Sequence, residues 1–310
     1  MKIVITGALG HIGSAFIHSL KSDDGIDLTM IDNMSAQRYC SLFNLPKRMG
    51  YKFVEADVYT VDLDELFQGA DTVIHLAAIT DAASSFDRKE EVERVNFDAT
   101  IRVAKACLKA NCNLIYPSTT SVYGVQEGLV DEACSRDQLK PQSPYAEAKL
   151  KSEDWLSNCP ELSYIVLRFG TIFGVSPGMR FHTAVNKFIW QASTSQPLTV
   201  WRTAMNQKRP YLSVLDAIES IKYIIKKQIF DRKILNIVTI NATVSEIIEE
   251  IRANVPDLNV NLVDTKIMNQ LSYEVSNEKI KKLGFEFSGN LKREVNDTIK
   301  LLLSANSPLC

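Results

Sequence analysis

No apolar run in this chain of 310 residues approaches the roughly 20 residues that a membrane-spanning helix needs. An excess of charge of either sign is also missing. A formal net charge of −2 provides no field that would steer the chain to nucleic acid or to an anionic membrane surface. Cysteine is sparse and unpatterned. The six residues (Cys40, Cys107, Cys112, Cys134, Cys159 and Cys310) form no C-x-x-C pair, and Cys107 and Cys112 are too far apart for a tight metal knuckle. No metal site is therefore expected, and the thiols read as free in a reducing compartment. The first residues run straight into an apolar stretch with no cleavage site, so a secretory leader is not expected and the cytoplasm is the expected location. Internal repeats, low-complexity tracts and Pro/Gly linkers are likewise lacking.

What is present is ordinary globular composition, 45% hydrophobic and 23% charged, enough for one large core or two modest ones. Short apolar runs predict strands at 2–6, 28–32, 51–57, 71–78, 114–117 and 164–169. Helical patterns fall between them at 11–21, 62–67, 92–110 and 144–157. The third of these carries an apolar stripe at Val92, Val95, Ala99, Val103 and Ala106. Strands alternating with helices predict an α/β fold, a doubly wound parallel sheet covered on both faces. After Gly174 the alternation loosens. Helices are expected at 181–192, 214–226, 244–255 and 291–303, with extended segments at 198–201 and 234–239, which reads as a smaller mixed α/β lobe.

The first strand ends in Gly7-x-x-Gly10-x-x-Gly13 and a helix follows. Each glycine has a task in a dinucleotide-binding turn. Gly7 permits the tight turn, Gly10 lets the backbone approach a pyrophosphate, and Gly13 lets the helix pack on the strand. The phosphates would then meet free N–H groups at the positive end of the helix. Asp32 ends the second strand, where a carboxylate accepts from the adenosine ribose and repels a 2′-phosphate, which favours NAD over NADP. Asp57, at the end of the third strand, is placed to contact the adenine amine or to initiate a turn. These features make the predicted sheet a Rossmann-type one. The expected division is an NAD-binding domain over 1–172 and a substrate-binding lobe over 173–310, with about 214–240 returning to the first domain.

A second constellation carries the chemistry. Tyr145 and Lys149 are four residues apart on one predicted helix and share a face, with Ser143 as its cap and Pro144 in its first turn. A phenol with its usual pKa near ~10 is a poor base at neutral pH. The Lys149 ammonium is expected to favour the phenolate and so make Tyr145 a general base for an alcohol. The hydroxyl-rich run Ser118-Thr119-Thr120-Ser121 follows a predicted strand and can share the same substrate oxygen. The alternative for the Tyr/Lys pair by itself is a solvated helix face.

At these residues the chain resembles the extended short-chain dehydrogenase/reductase family, in particular its nucleotide-sugar epimerases and dehydratases. The matching pieces run from Thr6-Gly7-Ala8-Leu9-Gly10-His11-Ile12-Gly13 through Ile31-Asp32-Asn33, Asp57-Val58, His75-Leu76-Ala77-Ala78, Val95-Asn96, Ser118 to Gly124, Ser143-Pro144-Tyr145 to Lys149, and Leu167-Arg168-Phe169-Gly170. The resemblance implies NAD as cofactor, with His11 and Ile12 giving backbone N–H to the pyrophosphate and Lys149 also holding the nicotinamide ribose. It implies that Asn33, Val58 and Leu76 to Ala78 line the adenosine side, and that Asn96 supports the backbone of the active site. Thr119 would be the catalytic hydroxyl. In the second lobe Arg209 would clamp the diphosphate of a nucleotide sugar, with Lys187 assisting, and Thr80 would face the sugar. The helices at 92–110 and 144–157 resemble those of a four-helix homodimer interface.

Departures from the family pattern narrow the reaction. Related 4,6-dehydratases carry Asp-Glu directly after the catalytic Thr, and related decarboxylases carry Glu at the second of these positions; here they are Thr120 and Ser121. The extra Cys or His pair of epimerases acting beside a carbonyl has no clear match, although Cys134 and His182 exist. What remains is the set Thr119/Tyr145/Lys149, sufficient for reversible oxidation at one carbon. The expected activity is an NAD-dependent nucleotide-sugar 4-epimerase. The alternatives are a one-way reductase or dehydrogenase with the same residues and, more remotely, a non-catalytic NAD sensor.

Overall fold

The computed structural model describes residues 1–21, 24–47, 50–264 and 272–304; Cys310 lies outside them. Seven parallel strands form the main sheet, in the spatial order Asp231–Ile237, Tyr164–Phe169, Asn113–Thr119, Thr72–His75, Lys2–Thr6, Asp27–Asp32, Tyr51–Glu55. The chain starts in the middle, winds outward through Asp27–Asp32 and Tyr51–Glu55, then crosses to Thr72–His75 on the other side of Lys2–Thr6. This reversal opens a crevice at the carboxyl ends of Lys2–Thr6 and Thr72–His75, the place where such sheets bind ligands. The central strands are apolar on both faces because helices cover both (burial also takes in Thr6 and His75). Helices His11–His18 and Val214–Lys227 pack on one face, burying Phe16, Ile17, Ile221 and Ile224. Helices Leu63–Phe67, Ala99–Ala110 and Pro144–Ser157 cover the other, with Phe67, Val103 and Leu156 in the core.

The strand Asp231–Ile237 pairs with Tyr164–Phe169 at the edge of the main sheet, so the 214–237 segment rejoins the first layer after an excursion. Three small sheets lie outside it. Lys208–Ser213 pairs parallel to Thr171–Phe173 and antiparallel to Ile240–Thr243; Leu198–Trp201 pairs with Val260–Val263, and Leu129–Val130 with Glu274–Val275. Most of these strands are too short to leave a period-2 signature, and several were not anticipated from the sequence. Helices Ala184–Ser193, Val244–Arg252 and Leu291–Ser304 close a separate core around Phe173, Ile189, Ile247 and Val295. Among the described residues no helix is long and apolar enough to cross a membrane, and no group of three His, Cys, Asp or Glu residues is placed to hold a metal.

Helix Pro144–Ser157 begins as its sequence dictates. The Ser143 hydroxyl accepts from Ala146 N–H, and Pro144 occupies the first turn. Its other end is fixed to the sheet by a buried ion pair. Arg168 Nη2 donates to Glu153 Oε2 at 2.6 Å, its Nε reaches the same carboxylate at 3.2 Å, and Ser118 donates to Glu153 as well. Removing one partner of such a pair strands the other charge in the core, which costs about 3–5 kcal/mol. Glu153→Ala should therefore lose a few kcal/mol in urea unfolding; a loss below about 1 kcal/mol would show that the pair does not anchor the helix.

Candidate active site

The crevice is a cavity of about 870 Å³, at the upper end of ordinary ligand sites. Its floor is the glycine turn. Gly7 adopts φ +64°, and a Cβ on it would lie 2.5 Å from Ala77 N, so the turn and the 76–78 backbone can meet only with glycine there. Gly13 is as tightly packed, a Cβ meeting Ala8 O at 2.4 Å, whereas Gly10 faces the cavity. Of the three glycines Gly10 alone has no atom within 3.0 Å of an added Cβ, which leaves room for a phosphate to approach and fits a dinucleotide. His11 sits at the start of the helix and its ring turns inward. Nε2 donates to Gly174 O at 3.0 Å, and burial lowers its pKa to about 3, so the side chain is neutral.

On the adenosine side, Asp32 accepts from Leu9 N–H and Met34 N–H, both at 3.0 Å. Asp57 accepts from Tyr59 N–H at 2.8 Å and from the Asn33 amide at 3.2 Å, so it is a turn-forming residue as well as a cavity residue. Asp32, Asn33, Asp57, Val58, Ile12, Leu76, Ala77 and Ala78 all line the cavity. Asn96 does not. It lies buried behind the wall, in a π turn at Glu93–Asp98, and its carboxamide pairs with Ile79 in both directions at 2.8 Å. It shapes the 79–81 loop from the rear and has no access to a ligand.

At the catalytic end, Thr119 closes its strand, its hydroxyl accepts from Ser121 N–H at 3.1 Å, and it lines the cavity together with Tyr145. Lys149 is buried beneath them. Its ammonium donates to Pro117 O at 2.8 Å and lies 4.6 Å from the centre of the Tyr116 ring. Burial pushes the Tyr145 phenol up; the Thr119 hydrogen bond and the charge of Arg180 pull it back down. Arg180 arrives from the segment after Thr171–Phe173 and donates to Thr80 across the cavity. Burial, with repulsion from Arg38, lowers Arg180 to about 10. Neither arginine was picked out from the sequence. The signal was present for Arg180, a single cation in a Gly/Ser/Pro-rich run directly after a strand.

Thr120 and Ser121 stand next to Thr119, and the buried Tyr273 hydroxyl hydrogen-bonds Thr120 at 3.4 Å. Tyr273 lies 153 positions from Thr120 and has no sequence motif around it. Thr80, Arg209, Trp201, Tyr211 and His182 complete the substrate side. Lys187 does not join them. On helix Ala184–Ser193 it stands exposed, opposite the face that buries Val185, Phe188 and Ile189, and it is not part of the cavity wall. The assignment of Lys187 to substrate binding is corrected accordingly. Cys134 is packed beside the Val122–Tyr123 cluster, away from the cavity.

Comparison with known proteins agrees with this geometry. Residues 3–237 match the NAD dependent epimerase/dehydratase family, and the chain belongs to it. An uncharacterized UDP-glucose epimerase of Bacillus subtilis is 31% identical over 240 residues, 73% of each protein. A dTDP-D-glucose 4,6-dehydratase of Bos taurus is 28% identical, covering 96% of this chain and 88% of that protein. Among solved structures, a UDP-glucuronic acid 4-epimerase from Bacillus cereus, in complex with UDP-glucuronic acid and NAD, is 25% identical. It superposes with a TM-score of 0.87, over 97% of this chain and all of that one. A UDP-N-acetylglucosamine 4-epimerase from Methanobrevibacter ruminantium shares the fold, with a TM-score of 0.86 at 23% identity over 98% of each chain.

The buried lysine gives a pH dependence. Burial lowers Lys149 from 10.5 to about 7, with Glu153 opposing. The unfolded chain therefore holds this proton more tightly than the folded one. The cost of burying the ammonium is full below pH 7 and is relieved as pH rises from about 7 towards ~10.4. The stability of wild type relative to Lys149→Met, measured by urea unfolding, should thus increase between about pH 6.5 and pH 9.5. A constant difference would show that the lysine keeps an ordinary pKa.

Proposed function

We propose that this protein is an NAD-dependent nucleotide-sugar 4-epimerase acting on a UDP-sugar. The reading is carried by the Thr119–Tyr145 hydroxyl pair at the end of a central strand, with Thr120 and Ser121 beside it instead of the carboxylates that water elimination calls for. The UDP-sugar epimerases among its relatives support the choice of nucleotide. The glycine turn, Asp32 and Lys149 would hold NAD, which when bound would supply the hydride acceptor and donor and the positive charge of its ring.

The chain's own groups do the rest. Tyr145, as phenolate, takes the proton of the C4 hydroxyl and leaves a 4-keto sugar, and the same oxygen returns the proton when the hydroxyl re-forms on the opposite face. Thr119 shares the hydrogen bond to that oxygen. Lys149, fixed by Pro117 O, would hold the nicotinamide ribose, and the charge of Arg180 favours the phenolate. Arg209, with Trp201 and Tyr211 nearby, holds the nucleotide and its diphosphate while the sugar turns. Positioning of this kind supplies much of the rate. The reading includes a homodimer formed through helices Ala99–Ala110 and Pro144–Ser157, and a cytoplasmic location in keeping with the five free cysteines among the described residues.

The test is incubation of the purified protein and NAD with a panel of UDP-sugars, followed by mass spectrometry and proton NMR. The expected product has unchanged mass and an inverted C4 proton signal, and Tyr145→Phe should lower its rate by about 10²–10⁴-fold. Loss of water, loss of carbon dioxide or a two-hydrogen change in mass would replace the epimerase by a dehydratase, a decarboxylase or a one-way redox enzyme. Near wild-type turnover by Tyr145→Phe would remove the tyrosine from its role.

A further inference from the structure

The glycine turn is covered from two sides by segments that carry no dinucleotide motif. One follows Thr171–Phe173. Its Gly174 carbonyl accepts from the His11 ring at 3.0 Å, and its Gly178 N–H donates to Ser14 Oγ at 2.9 Å, which in turn donates to Ser176 Oγ at 3.2 Å. A Cβ on Gly178 would lie 2.2 Å from Leu9 O and 2.7 Å from Gly10 O, so the segment lies flat on the turn only because that residue is glycine. The other follows Asp27–Asp32. Its Ser41 hydroxyl donates to Leu9 O at 2.9 Å, and its Cys40 thiol donates to Pro177 O at 3.3 Å, which ties the two segments to each other.

Each segment delivers one arginine to the same spot. Measured from the place a Cβ would take on Gly10, Arg38 Nη1 is 3.7 Å away and Arg180 Nη2 is 3.8 Å away. Both side chains line the cavity and both are half-buried. They therefore face the amino end of helix His11–His18, itself positive. Two guanidiniums and a helix dipole converging on one small volume repel one another. Asp32, whose charge acts on both arginines, already accepts from two backbone N–H groups, and Asp81, which acts on Arg180, accepts from Ala83 and Ser84 N–H. The arrangement calls for a group with more than one negative charge.

We propose that Arg38 and Arg180 clamp the cofactor's diphosphate from the two sides of the glycine turn, so that NAD is held by paired guanidiniums as well as by backbone N–H groups. Arg180, bonded to Thr80 on the sugar side, lies over the cofactor, so release requires the 174–180 segment to lift. Tight retention suits an enzyme that must keep its reduced cofactor until the hydride returns. The clamp itself needs only the family's NAD and can be read with no sugar present.

The experiment is calorimetric titration of nucleotide-free protein with NAD, ADP-ribose and adenosine. It compares wild type, Arg38→Gln, Arg180→Gln and the double variant, with circular dichroism to confirm that each is folded. Each single variant should weaken NAD and ADP-ribose about tenfold or more, and the double variant more than either, while adenosine, which lacks the diphosphate, binds unchanged. Arg180→Lys should recover part of the loss, and dissociation of NAD should be faster in Arg180→Gln. The proposal fails if NAD binding stays within twofold of wild type in both single variants, or if adenosine weakens in step with NAD. It fails equally if Arg180→Gln affects only the affinity for a UDP-sugar, which would assign that arginine to the substrate. None of these outcomes depends on which sugar reaction the enzyme performs.

Discussion

Backbone-to-backbone contact at the glycine turn is the constraint on which the site depends. The 76–78 segment presses on Gly7 from one side, the helix on Ala8 through Gly13, and the 174–178 segment on Leu9 and Gly10 through Gly178. Each approach is closer than any side chain permits. Three pieces of chain far apart in sequence are thereby brought to the same few ångströms, at the point where the sheet changes direction. The ends of the strands then fan outward from that point. Thr119 ends one neighbour and Asp32 another, so the two ends of a long ligand are positioned by the spacing of strands, not by loops alone.

Behind the cavity Thr6, His75, Thr100 and Asn96 are buried together and paired in a way that fixes the protonation of the histidine. Thr100 donates to Asn96 O at 2.7 Å, so His75 Nε2 must donate to Thr100 and Nδ1 must accept from Thr6. Burial keeps that ring neutral. Asn96 then spends both halves of its carboxamide on Ile79. The result is a chain of hydrogen bonds from the first strand to the loop that faces the ligand. Such a network rigidifies only if every member is satisfied. The Glu153–Arg168 pair, with Ser118 as a third member, plays the same part on the other side of the catalytic strand.

Much of the main sheet could be read from the sequence because its strands are buried on both faces and its helices have clear caps, as at Ser143 and Pro144. The glycine turn, Asp32 and Tyr145 were legible for a related reason: each serves a local geometric demand that few residue types meet. What the sequence concealed was set by long-range contact. Lys187 sits in a stretch that resembles a substrate-binding segment, yet the helix phase turns it outward. Lys149 lies four residues from Tyr145 as the spacing implies, but neither the Pro117 carbonyl that holds its ammonium nor the charge that Arg180 adds to the phenol's surroundings could be read from that spacing. No spacing rule connects positions 38 and 180, which meet only because both flank Gly10. The small sheets beyond Gly170 consist of two to six residues per strand, too short for periodicity to announce them.

Tyr273 packs behind the cavity against Thr120, which its hydroxyl reaches at 3.4 Å from 153 positions further along the chain. The main sheet, too, receives its outer strand at residues 231–237, after the whole of Thr171–Phe173 and its neighbours has been laid down. During synthesis the nucleotide turn, the catalytic tyrosine and the central strands are therefore complete while their surroundings are still being translated. A nascent chain at that stage can fold its first layer, because domains tend to fold from the amino end as they emerge. The order of synthesis thus places most of the first layer of the sheet ahead of the strand that completes its edge.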